Sequence, residues 1–128
     1  MAINTGATGK RRIVFSGYVA SPSTGDGADG FHIPFGLCHH AYFGYALDVG
    51  GTSGDNKVQL NRVRNESDTA LLAATLDVAN DASTVSNSTK VFQNNSLEEG
   101  DLVRVDIDEA AGSSGGFTWT AVIHVEKD

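Results

Sequence analysis

A chain of 128 residues is long enough to bury one substantial core and too short for two. Its 40% hydrophobic and 20% charged residues are those of an ordinary globular domain, and no stretch approaches the run of about 18 apolar residues that a membrane helix needs, so no membrane partner is expected. Net charge is −7, yet residues 1–12 hold Lys10, Arg11 and Arg12 and no acid, which leaves six basic against sixteen acidic residues, a net −10, for the remainder; phosphate repulsion then excludes nucleic acid as the main partner.

The single cysteine, Cys38, excludes an intramolecular disulfide and cannot alone build a thiolate metal site. The start, MAINTGATGKRR, has no apolar segment before a small-residue cleavage site, so no secretory signal peptide is expected. The triplets beginning at Asn65, Asn87 and Asn94 match glycosylation acceptors and read as polar loop chemistry. GATGK falls short of a phosphate-binding loop: Asn4 stands where the first glycine belongs and Arg11 follows the lysine. Residues 1–12 are expected to form a flexible basic arm, and 13–128 the folded domain.

In chain order, RRIVFSGYVA places Ile13, Phe15 and Val19 in strand register around Gly17, where a bulge or a close approach by a neighbouring backbone is expected. After the loop SPSTGDGADG, Phe31, Ile33 and Phe35 alternate across Pro34, which lacks an N–H and favours a short edge strand. AYFGYALDV, the turn-rich GGTSGDN and KVQLNRV follow, with Val58, Leu60 and Val63 in register. ESDTALLAATLDVAND has two readings: a short helix near residues 68–80, with Leu71, Leu72, Thr75, Leu76 and Ala79 on one stripe, or a strand, favoured because TLDV alternates. KVFQN near residue 90 is a further strand. DLVRVDID and FTWTAVIHV alternate most clearly, with Trp119 in phase with the core residues Phe117 and Ile123, and EAAGSSGG between them predicts an antiparallel hairpin. The sum is an all-β, single-domain antiparallel β-sandwich or jelly roll of about eight strands.

Residues with reactive side chains do not group into known chemistry. Cys38, His39 and His40, with His32 upstream, are zinc-ligand types, but neighbours on a strand point to opposite faces, so no metal is expected. The histidines and Tyr42 are instead read as a subunit contact, which would make assembly depend on pH between about 5 and 8. Asp106, Asp108 and Glu109, with Asp101 or Asp48, lack calcium-loop spacing and read as a solvated acidic face. No G-x-S-x-G elbow is present, and no enzyme activity or cofactor is expected. Tyr18, Tyr42, Tyr45 and Trp119 are the candidate aromatic platforms for stacking a sugar, with Trp119 more at home in the core.

FSGYV, FHIPF, KVQLNRVRN followed by TALLAATLDVA, the Gly100-Asp101 step before LVRVDID, and the closing FTWTAVIHV together resemble the jelly-roll virion modules of tailed bacteriophages. These occur in head decoration proteins and in parts of tails, collars and fibres. The resemblance covers most of the chain. It implies a homotrimer on the outer surface of the capsid, held to the major capsid protein by the N-terminal arm, with Thr5, Thr8, Lys10, Arg11 and Arg12, or by one end of the sandwich. A chain of this size suits a decoration (cement) protein that stabilises the shell; the alternative is a tail, collar or fibre module that binds a receptor glycan.

Overall fold

The alternation read from the sequence is realised throughout a computed structural model, which describes residues 2–5, 11–34, 36–80, 85–94 and 96–127. Among the described residues there are eleven strands and no helix: β1 (Ala2–Thr5), β2 (Arg11–Val19), β3 (Gly25–His32), β4 (Leu37–Leu47), β5 (Asp55–Arg64), β6 (Ser67–Ala70), β7 (Leu76–Ala79), β8 (Ser86–Thr89), β9 (Ser96–Leu97), β10 (Leu102–Glu109) and β11 (Phe117–Lys127). One sheet has the order β1-β2-β11-β4-β8, with β9 also on β4; the other has β3-β10-β5-β6, with β7 also on β5. Every pairing is antiparallel.

Taken with β6 and β7 as one interrupted strand, and β8 and β9 as another, these sheets have the order of a jelly roll with β1 added at an edge. That accounts for eleven strands where about eight are expected. It also bears out the favoured strand reading of residues 68–80 and corrects one expectation. The helix near 68–80 does not form: Leu71, Leu72, Leu76 and Val78 are all buried, but by strand, bend and strand along β5. Where the ladder breaks at Leu72, the Gln59 carboxamide takes over, accepting from the Leu72 N–H at 3.1 Å and donating to its carbonyl at 3.2 Å. The hairpin between the last two strands is also absent. β10 and β11 lie in opposite sheets, and residues 110–116 cross between them, tied to the β4–β5 connection by the Gly112 N–H to Ser53 carbonyl bond (2.8 Å).

The remaining differences are local. β3 is an edge strand, as Pro34 suggests, but it ends at His32 and takes its first six residues from the glycine-rich stretch read as a loop. The strand expected at KVFQN is displaced to β8 and β9 on either side of it. Ala2–Thr5 pairs with β2, and Arg11 and Arg12 open β2 itself, so these parts of the expected arm belong to the sheet. Pairing there satisfies backbone groups that β2 would otherwise expose along its outer edge.

Between the sheets lies one core, from Ile13, Phe43, Leu60, Val105, Trp119 and Ile123 among others. Trp119 is only 2% exposed, and its indole N–H crosses to the Asp29 carboxylate of the facing sheet at 2.9 Å. The register of β2 on β11 runs unbroken through Gly17, so there is no bulge; what approaches Gly17 is the ring of Trp119. Two buried groups pin one end of the sandwich: Asn56 donates to the Gly50 carbonyl (3.0 Å) and accepts from the Ala111 N–H (3.1 Å), while the Tyr45 hydroxyl donates to the Leu76 carbonyl (2.7 Å).

Candidate interaction surfaces

The two outer faces differ in charge. On the β3-β10-β5-β6 sheet, Arg104 and Asp106 form the centre of an ionic network. Asp106 is 1% exposed and accepts four hydrogen bonds, from Arg104 Nε (2.7 Å) and Nη2 (2.9 Å), Asn61 Nδ2 (2.6 Å) and the Gly27 N–H (2.7 Å). Arg104 also reaches Asp68 at 2.8 Å and Asp26 at 3.6 Å, and hydrogen bonding to Asp106 raises its guanidinium further above its ordinary value. The expected solvated acidic face is therefore corrected at Asp106: its carboxylate oxygens are fully used inside the protein, and they hold the irregular Asp26–Ala28 segment of β3 against β10. Asp108 is the exposed member, its carboxyl raised by partial burial and then by Asp106, Asp26 and Asp77.

Asp101, 3% exposed, is also internal. It accepts from Arg64 Nε (2.8 Å), Arg64 Nη2 (2.6 Å) and the Glu98 N–H (2.8 Å). Burial pulls this carboxyl upward, but the Arg64 and Glu98 hydrogen bonds and the charges of Arg64 and Arg62 outweigh it and hold it below the ordinary range. The Gly100-Asp101 step thus fastens the connection into β10, with Gly100 at φ 92° and its N–H on the Ile33 carbonyl.

On the other sheet, the residues singled out from sequence separate. Arg12, His124 and His39 are directly paired across β2, β11 and β4, forming one row on the outer face. The His39 and His124 rings meet edge to face at 5.3 Å, and His39 Nδ1 is 3.3 Å from Glu126. Arg11 points the other way, in phase with the buried Ile13, where its charge partly offsets the rise that burial and Glu126 impose on the Cys38 thiol. Thr5 closes β1 opposite Arg11, and Thr8 and Lys10 lie outside the described residues. His124 joins the site unforeseen. Its place on the polar face of β11 follows from alternation, but its neighbours depend on which strands flank β11.

His40 does not reach this surface. It is 2% exposed, stacked on Phe92 at 4.8 Å and edge-on to Phe31 at 6.3 Å, so it is a core residue and not a subunit contact. The cause is a bulge at Ala41: Val122 pairs with Tyr42 and Ile123 with His40, so the inward set shifts from Cys38 and His40 to Phe43, Tyr45 and Leu47. Burial, then His39, pushes the His40 imidazole down to about 4. Tyr42 and His39 remain on the outer face.

No protein-family model matches the chain, and none of the curated proteins does. Among solved structures it is similar to a chain of the cyanophage Pam1 capsid asymmetric unit, at 20% identity and a TM-score of 0.56, over 98% of this chain and 92% of that one. A likeness spanning both chains almost end to end shows that they share a fold.

Proposed function

We propose that this chain is a structural protein of a phage virion, a decoration protein that sits on the outer surface of the capsid and acts by binding, without catalysis or cofactor. The observation that carries the reading is the almost end-to-end likeness to a chain of a phage capsid asymmetric unit. Its partners in this reading are the major capsid protein and two further copies of itself, in a homotrimer. Bound where neighbouring capsomers meet, the domain buries surface that separation of the capsomers would have to expose, and so stabilises the shell.

Charge supports a particular orientation. The row of Arg12, His124 and His39 lies near the edge where β1 enters and offers basic side chains on a molecule of net negative charge. An acidic shell surface complements it, and a shell presents many equivalent sites, so weak single contacts add through avidity. The test is co-sedimentation of the full chain with particles that lack it. Binding is expected to saturate at a fixed ratio to the major capsid protein and to weaken with salt, and K10E/R12E is expected to weaken it about tenfold. Undiminished binding by the reversed variant would remove the basic row from the account, and no co-sedimentation of the unaltered chain would remove the decoration reading itself.

A further inference from the structure

The half of the outer face above the basic row has a different character. Between β8, β4 and β11 lies a shallow trough of about 370 Å³, lined by Tyr42, Gly44, Ala46, Ser86, Ser88, Thr118 and Thr120 among others, with no charged side chain. Tyr42 does not stand upright in it. A β-carbon built on Gly44 would lie 3.0 Å from Tyr42 Cζ, collide with the Tyr42 hydroxyl and press on Ser88 Cβ at 2.8 Å. The side chain therefore reclines along β4, with its hydroxyl end over residue 44. Only glycine at 44 allows this. Serine hydroxyls of β8 flank the ring on one side and threonine hydroxyls of β11 on the other; none of these four hydrogen-bonds elsewhere among the described residues.

We propose that this trough is a binding site for a neutral saccharide. Pyranose rings have an apolar C–H face, which matches an aromatic side chain lining the trough, and a rim of hydroxyls, which matches unspent serine and threonine hydroxyls. Spacing agrees: β8 and β11 flank β4 about 9.6 Å apart, which seats one sugar ring between groups that each reach in by a hydrogen bond of about 2.8 Å. The absence of charge from the lining selects neutral sugars over sialylated or phosphorylated ones. A protein partner fits less well, because interface centres use large apolar, aromatic or arginine anchors, and here the lining beyond the tyrosines is alanine, glycine, serine, threonine and asparagine. The site does not depend on where in a virion the chain sits.

The test is an array of neutral and anionic glycans probed with the full chain, with Y42A and T120V alongside. Tyr42 and Thr120 lie on the outer face, so both variants should melt like the parent. The site predicts binding to at least one class of neutral glycan, lowered about tenfold or more by Y42A and severalfold by T120V, with particle co-sedimentation unchanged. No neutral glycan bound, binding confined to anionic glycans, or equal binding by Y42A would overturn the proposal. Loss of trimer or of particle binding in Y42A, without loss of glycan binding, would also overturn it and assign the trough to a protein interface.

Discussion

Gly17 and Trp119 face each other across β2 and β11, and a β-carbon at 17 would stand 2.7 Å from the indole Nε1 and 2.8 Å from Cε2. The ring is held by Phe31, stacked at 5.7 Å, and by its bond to Asp29, so it cannot move aside freely. G17A is therefore expected to lower the free energy of unfolding by about 1–3 kcal/mol, measured by chemical denaturation, the range for overpacking a filled core. Stability unchanged in G17A would mean that the indole yields. His40 predicts a pH effect. Its imidazole titrates at about 4 in the fold against 6.5 for the free side chain, so the unfolded chain binds the proton more readily between those values. Its contribution is complete above about pH 6.5 and is lost as pH falls towards 4, about 3 kcal/mol in all. H40L, nearly matched in volume, should flatten the fall in stability over that window; an unchanged pH profile would place the acid sensitivity elsewhere. Asp101 acts in a lower window, its stabilisation present above the ordinary carboxylate range and lost as pH drops through its depressed value. At this scale Trp119 was legible from alternation, but His40 was not. Unbroken alternation from Phe43, Tyr45 and Leu47 turns His39 inward and His40 outward, and the bulge at Ala41 that reverses them leaves no mark in the sequence.

Among the elements, the β5–β6 turn shows how local chemistry decides a course that periodicity leaves open. Arg64 pairs with Ser67, and the two residues between, Asn65 and Glu66, have φ of 52° and 64°. Positive φ at both positions makes a type I′ hairpin, a conformation suited to asparagine and costly for glutamate. E66G is expected to stabilise the protein by about 0.5–1 kcal/mol, the relief of strain exceeding glycine's added freedom in the unfolded chain. A destabilised E66G would show that Glu66 contributes more than its backbone conformation costs. Asn65 after the alternating KVQLNRVR was the available sign of this turn. The leucines that follow suit a helix stripe or a buried strand, with the alternation of TLDV tilting towards the strand, and β5, already alternating and needing a partner, selects it. The last two strands show the converse: both were legible, while their separation into opposite sheets was not, because alternation does not name the partner.

For the whole molecule, the jelly roll sets strands far apart in sequence side by side, and this gives each face its composition. Arg12, His39 and His124 come from three different strands, as do Tyr42, Ser88 and Thr120. No short motif encodes either group, so composition and alternation led to a sandwich and an acidic body but not to a surface. The basic row and the ionic network lie on opposite outer faces, so a molecule seated by the first presents the second to solvent. The central claim, a decoration protein on the outside of a capsid, is tested most directly by the copy number of this chain in purified particles, quantified against the major capsid protein by mass spectrometry. The account predicts on the order of hundreds of copies, as the symmetry of a shell requires of a protein at equivalent sites. A few copies to a few dozen would contradict it and place the chain in a tail, collar or fibre.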